Sequence, residues 1–233
     1  MKRNVRSEST GSSVVLGLTL LFSSSPSFAL FYSAEAIEGW VIDMETGRPL
    51  EGVIVVAHWQ LRGGFEGGTP IRELRILETV TDTNGRYLFP SWGPKLALMG
   101  QLRSESPEIL MFKPGYKFQL LNNPWYSDRD TSKSDWNGQT VKLERFAGTL
   151  GEYAQHLWLL NNTLWNAGYT VGEHSGDFCG WRSFPRMLRA MDELDRKLEP
   201  LRLMETSVTA RLRANEAKLL AAGCGSVADS LGK

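Results

Sequence analysis

Glycine and proline cut residues 37–145 into short pieces, and this punctuation constrains the fold more than any other feature of the chain. The pieces between the breaks are rich in β-branched and aromatic residues, which is strand chemistry. Ile37–Ile42 is the first expected strand, followed by a loop that carries Gly47 and Pro49. Val53–Trp59, a strongly β-branched run, is the second, and Gly63–Gly68 makes a flexible excursion after it. Arg75–Thr81 returns as a strand, Asp82-Thr-Asn-Gly85 turns, and Arg86–Phe89 leaves as its partner. In that turn Gly85 can take the positive φ that other residues resist. Glu108–Phe112 and Lys117–Leu121 flank a turn at Lys113–Tyr116, and Thr140–Glu144 closes the set. Seven short strands at this spacing predict an antiparallel β-sandwich rather than a parallel sheet.

After residue 150 the apolar period changes from two to that of a helix. Leu150, Tyr153, Ala154, Leu157, Trp158, Leu164 and Trp165 share one face, and Gly168 ends the pattern. Ser183 is placed to cap a second helix with Pro185 in its first turn, and Phe184, Met187, Leu188, Met191, Leu194 and Leu198 form its stripe. Asp192 with Arg196, and Glu193 with Lys197, are i, i+4 pairs expected on its wet side. A third helix is expected from Leu201 to Ala222, ended by Gly223. The stripes read as core packing, with a docking face for a partner helix as the alternative. The predicted class is therefore α+β, with the sandwich over 37–145 and a helical segment over 150–225.

The chain opens with Lys2, Arg3 and Arg6, then the apolar stretch Val14–Phe22, then small residues ending in Ser27-Phe28-Ala29. This is the pattern of a signal peptide over residues 1–29, cleaved so that the mature protein begins at Leu30. Cleavage near Ala34 or Ala36 is the alternative. The apolar stretch is too short to span a bilayer, so no transmembrane segment is expected in the mature chain. The expected location is periplasmic or secreted. Of 26 basic and 26 acidic residues, removal of the first 29 takes three and one respectively, leaving 23 against 25. No run of cations remains to displace counterions, so a nucleic-acid partner is not expected.

Cys179 and Cys224 are the only cysteines. In an oxidising compartment an isolated pair usually bridges. The alternatives are two free thiols or a redox pair, and a redox pair normally sits close in sequence. A bridge would join the start of the second helix to the end of the third, as in an antiparallel hairpin.

Several motifs together carry a family resemblance. Ile37-Glu-Gly-Trp-Val-Ile-Asp43, Thr46-Gly-Arg-Pro-Leu-Glu-Gly-Val53, Thr81-Asp-Thr-Asn-Gly-Arg-Tyr-Leu-Phe89 and Pro114-Gly-Tyr116 resemble the carboxypeptidase regulatory-like domain. The resemblance covers about residues 37–121. It implies a transthyretin-like sandwich of seven strands and a non-catalytic accessory module of exported or cell-surface proteins. It also implies structural roles for Gly39, Gly47, Gly52, Asp82, Gly85 and Gly115, with Tyr87 and Phe89 alternating toward a core. The Gly63–Gly68 loop and the segment from Pro90 to Pro107 depart from the family pattern. No zinc peptidase domain accompanies the module here, and neither the hydroxyisourate hydrolase signature nor the iron-ligating set of intradiol dioxygenases is present.

Candidates for chemistry are few. His58 lies inside a β-branched strand and reads as a satisfied sandwich histidine. Glu152, His156, His174 and Asp177 could be imagined as a metal-dependent hydrolase site, but none has the spacing of H-E-x-x-H or C-x-x-C. Asn161-Asn-Thr163 has the glycosylation pattern but falls within a helix. Trp125, Tyr126 and Trp136 sit in a polar stretch, where exposed rings can stack on sugars or anchor an interface. The leading expectation is an exported, non-enzymatic structural or interaction module with no cofactor, serving an unknown protein or cell-envelope partner. A carbohydrate- or peptidoglycan-binding module using the three rings is the second reading, and the hydrolase is the third.

Overall fold

The computed structural model describes residues 31–62, 72–97, 100–124, 132–168, 179–199 and 207–231. Among these, ten strands are followed by five α-helices, where seven strands and three helices were expected. β2 (Ile37–Asp43), β3 (Ile54–Arg62), β4 (Arg72–Val80), β5 (Arg86–Phe89), β8 (Glu108–Phe112), β9 (Gln119–Leu121) and β10 (Gln139–Leu143) are the strands read from the sequence. β1 (Phe31–Ala34), β6 (Trp92–Leu96) and β7 (Gln101–Leu102) are additional.

The strands form a three-stranded sheet β10-β2-β5, a five-stranded sheet β4-β3-β8-β9 in which β7 also pairs with β3, and a two-stranded ribbon β1-β6. The pairing is not antiparallel throughout: β10 runs parallel to β2, with Gln139 beside Gly39 and Leu143 beside Asp43. The two larger sheets share a core. Ile37, Val41, Tyr87, Phe89, Val141 and Leu143 meet Val55, Ala57, Trp59, Ile109 and Met111 there. This follows from the strand period of two, which sends alternate residues of β3 and β8 to opposite faces.

The opposite face of β3 and β8 explains why their runs are apolar at nearly every position. Ile54, Val56, Leu110 and Phe112 point away from the inter-sheet core and into a second core built with the helices. α1 (Leu150–Gly168) contributes Ala154, Leu157, Leu160 and Leu164; α2 (Pro185–Leu198) contributes Met187, Leu188, Met191, Leu194 and Leu198. The helical segment is therefore a third layer on the sheet.

Four helical expectations are corrected. Trp158 and Leu150 are not on the inward stripe: they are 49% and 51% exposed, and Leu160 takes the buried place. Ser183 does not cap α2. It lies in a 3-10 turn (Gly180–Ser183), and the first free amides of α2, Arg186 and Met187, donate to Glu78 of β4 at 3.0 and 2.8 Å. The sheet itself supplies the anion that the helix N-terminus attracts. The expected third helix is broken at Asn215 into α3 (Val208–Ala214) and α4 (Glu216–Ala221), and α5 (Val227–Leu231) follows with Val227 and Leu231 buried. Asp192, expected on the wet side of α2, is buried and held by Arg196 and Arg213.

Cys179 and Cys224 are bonded, with sulfurs 2.10 Å apart and Cα atoms 5.1 Å apart. The bond ties the 3-10 turn before α2 to the turn before α5, so the last helix is held to the layer that covers the sheet. Among the described residues no helix is long and apolar enough to cross a membrane.

Candidate functional site

The turn residues organise one corner of the sandwich around Asp43, whose centrality the sequence did not signal. Asp43 Oδ1 accepts the amides of Glu45 and Thr46 at 3.0 and 2.9 Å, and Oδ2 accepts Tyr116 Oη and Arg145 Nε, both at 2.8 Å. The Thr46 amide, then the Tyr116 hydroxyl, outweigh desolvation and hold the Asp43 carboxyl well below the usual carboxylate range. Arg145 also lies 5.2 Å from the centroid of the Tyr116 ring. Asp82 Oδ1 accepts the amides of Asn84 and Arg86, both at 2.9 Å. Gly85 sits at φ 69° in that turn, where a Cβ would also strike the Val41 carbonyl. Gly39 lies against Tyr87, whose hydroxyl would be 2.5 Å from an added Cβ. Gly47 and Gly115 take positive φ in the two turns beside Asp43.

His58 occupies the helix-facing side of β3, next along from Val56 and 1% exposed. Its Nε2 is 2.6 Å from Glu108 Oε1 on β8 and its Nδ1 is 3.6 Å from Glu73 Oε2 on β4. Gln60 donates to Glu73 Oε1 at 2.6 Å, and Arg103 donates to Gln60 at 2.7 Å. Burial disfavours the imidazolium, but the two carboxylates more than offset it and raise the pKa to about 9. The two ring nitrogens face different carboxylates on different strands, so the three side chains clamp the sheet and do not converge on one point. Among the described residues no group of three or more His, Cys, Asp or Glu could hold a metal ion.

The hydrolase candidates are divided. His174 and Asp177 lie outside the described residues. Glu152 Oε2 accepts from the amide and the hydroxyl of Thr149 at 2.7 and 2.8 Å, and the Glu152 amide donates to Thr149 Oγ1 in return, at 3.3 Å. That reciprocal pair is the capping box of α1. His156 Nε2 accepts the Phe118 amide at 3.0 Å, so it serves as an acceptor; burial, with Lys117 nearby, keeps its pKa below the usual histidine value.

Around His156 the chain assembles an aromatic row that sequence reading missed. Phe118 and His156 are 4.7 Å apart between centroids, His156 and Phe146 5.6 Å, and Phe146 and Tyr153 4.9 Å. Three elements contribute: the segment entering β9, the chain after β10, and α1. The sequence offered Tyr153 on the apolar face of the helix and His156 four residues after Glu152, and nothing in it tied either to Phe118 or Phe146. Beside this row runs a groove of about 180 Å³ lined by Gly115, Phe146, Gly148, Thr149, Leu150 and Tyr153.

Trp125 and Tyr126 lie outside the described residues. Trp136 is half-buried against the inter-sheet core, and its indole N–H donates to the Asn122 carbonyl at 3.2 Å. Asn161 is buried, accepting the Val208 amide and donating to the Leu157 carbonyl, which closes it to modification.

No protein-family model and no curated protein matches the chain. Among solved structures it is similar to a 3-chlorocatechol 1,2-dioxygenase from Rhodococcus opacus 1CP, with 18% identity over 49% of this chain and 60% of that one and a TM-score of 0.31. It is also similar to the dioxygenase domain of a dioxygenase carbohydrate-binding protein fusion from Streptomyces sp. SirexAA-E, with 15% identity over 53% of this chain and 86% of that one and a TM-score of 0.28. A 9R-lipoxygenase from Cyanothece PCC8801 matches at 13% identity over 81% of this chain and 30% of that one, with a TM-score of 0.26. The chain spans 60% of the length of the first dioxygenase, and likeness at these scores carries no functional argument.

Proposed function

We propose that this chain is an exported, non-catalytic interaction module built on a transthyretin-like sandwich of the carboxypeptidase regulatory-like kind. The observation that carries the reading is how its polar side chains are used. Glu152 and His156, the described members of the candidate acid–base set, are committed to the start of α1 and to the amide of Phe118. Asp43 and Asp82 are committed to turns. The family motifs thus serve turns and packing, which is what an accessory module requires.

The disulfide supports export, since such bonds persist in oxidising compartments. The position of β1 supports processing after Ala29. Cleavage there leaves β1 whole, with Tyr32 and Ala34 in the core, whereas cleavage at Ala34 or Ala36 would remove it. The partner belongs to the cell envelope or its surroundings.

The test is fractionation of the native producer, with N-terminal sequencing and thiol alkylation of the recovered protein. The expected result is an extracytoplasmic chain beginning at Leu30 with no alkylatable thiol. An intact Met1 with two reactive thiols overturns the export reading. Elemental analysis of the same material tests the absence of chemistry: a stoichiometric transition metal, with melting lowered by chelator, would return Glu152, His156, His174 and Asp177 to the front.

A further inference from the structure

We propose that the outer edge of β4, from Ile76 to Val80, pairs antiparallel with the same segment of a second copy of the chain, about a twofold axis at Leu77. The inference goes beyond the interaction-module reading and does not depend on export.

β4 ends its sheet, with β3 as its strand partner there. The bonds at the end of the pair show which main-chain groups face inward. The Thr81 amide donates to the Val53 carbonyl and the Gly52 amide donates to the Thr81 carbonyl, so Thr81 faces β3. The strand period of two then turns Thr79 and Leu77 toward β3, and Val80, Glu78 and Ile76 away from it. The far side of β3 agrees: Gln60 donates its amide to Ser106 Oγ and accepts the Arg103 amide, so the alternate set that includes His58, the residue opposite Ile76, faces away from β4. Among the described residues no group bonds the outward amides and carbonyls of Ile76, Glu78 and Val80. Such a row, repeating at strand spacing, is matched by extended main chain.

The other margins of the two larger sheets are short or occupied. β9 has three residues and β5 has four. At β10, Gln119 Nε2 donates to the Lys142 carbonyl at 2.8 Å and the Lys117 amide donates to the Glu144 carbonyl at 2.9 Å. The first half of β4 is blunted as well: the register shifts between Trp59 and Gln60, and Lys95 Nζ donates to the Leu74 carbonyl. From Ile76 to Val80 there is no proline, glycine, lysine or bulge, and Ile76, Thr79 and Val80 are β-branched. An edge left in that state is a template for another strand.

The order of side chains in this segment suits it to itself in one register. Pairing centred on Glu78 would set the two Glu78 side chains directly opposite, and like charges so placed are destabilising. Pairing centred on Ile76 leaves a single bonded pair clear of Leu74, whose carbonyl Lys95 holds. Pairing centred on Leu77 has two: Ile76 of each copy exchanges main-chain bonds with Glu78 of the other, and Arg75 stands opposite Thr79, so no like charges are opposed. The two Leu77 side chains then meet on the axis as a pair without hydrogen bonds, the closer of the two spacings in an antiparallel ladder. Leu77 has surface to contribute, since it packs on the inter-sheet core from the margin and stays part exposed. Contact between identical patches closes at two copies.

The experiment is sedimentation velocity of the purified mature protein, its disulfide intact, up to millimolar concentration, with Leu77→Lys, Leu77→Glu and Leu77→Cys alongside. The wild type should show a dimer in equilibrium with monomer. Leu77→Lys and Leu77→Glu each put like charges on the axis and should raise the dissociation constant at least tenfold. An equimolar mixture of the two should restore association, a rescue that loss of folding cannot produce. Leu77→Cys should give a disulfide-linked dimer on mild oxidation, whereas Glu193→Cys, exposed on α2, should not. A wild type that stays monomeric at millimolar concentration overturns the proposal. So does a dimer that neither charged variant weakens, or a mixture of folded charged variants that fails to restore it. If the charged variants do not fold, the Leu77→Cys crosslink decides, and its absence in a dimeric sample overturns the proposal.

Discussion

His58 should make the protein lose stability on the alkaline side of neutrality, well below the range where lysines and tyrosines titrate. Its folded pKa of about 9 exceeds the ordinary value of 6.5 because Glu108 and Glu73 together outweigh the desolvation that opposes its charge. A raised pKa means that the folded state binds the proton more tightly than the unfolded chain. The stabilisation is therefore complete below about pH 6.5 and disappears as pH rises through about 9. At ~1.4 kcal/mol per pH unit, the interval is worth about 3 kcal/mol, a large part of the ~5–15 kcal/mol that holds a typical domain together. Urea unfolding at pH 6 and at pH 9.5, followed by tryptophan fluorescence, measures it directly. His58→Gln should cost about 3–5 kcal/mol at pH 6, because two carboxylates are left without their cation, and its urea midpoint should no longer fall between the two pH values. A wild-type midpoint that stays constant over this range, or one that falls equally in His58→Gln, would refute the assignment of a charged imidazole to this position.

Asp43→Asn should lower the urea midpoint at pH 7, and the deficit should shrink as pH falls below about 4, because a carboxyl with a depressed pKa stabilises only while ionised. Cys224→Ser should cost roughly 4 kcal/mol by the loop-closure model for a sequence separation of 45, read from calorimetry, and amide exchange should locate the loss in α2 to α5 rather than in the β10-β2-β5 sheet. Trp136→Ala should cost ~2 kcal/mol by chemical denaturation, between the values for a buried and an exposed ring; a change below about 0.5 kcal/mol would show that the indole does not pack on the core.

The strands that could be read from the sequence are those whose ends carry turn glycines and whose interiors are β-branched, and Arg86–Phe89 was placed to the residue. β6 was missed because Trp92-Gly-Pro-Lys-Leu96 carries a glycine and a proline, which signal a break, whereas at a sheet margin both are tolerated. β1 was missed because it follows directly on the expected export signal. The split at Asn215 depends on its side chain returning to the Arg211 carbonyl at 2.8 Å, a local competition that an apolar period does not report. The His58 clamp was illegible for a different reason. Its partners come from β4 and β8, and only the register His58↔Glu108 and the shift between Trp59 and Gln60 bring them together. The aromatic row has the same character, since Phe118 and Phe146 become neighbours only once the two turns pair.

The parallel placement of β10 on β2 sets a delay into the assembly of the molecule. Gly39 pairs with Gln139, on the order of 100 residues later, a separation that lengthens the search for native contacts. A chain that emerges N-terminus first therefore holds one side of β2 unpaired until about 100 further residues have followed it. During that interval an apolar strand presents an open edge, the feature from which intermolecular pairing begins. The Asp43 corner stays open for the same period, because Arg145 arrives just after β10. Sandwich closure and neutralisation of Asp43 are thus one late event, and the risk of misassembly is concentrated before it.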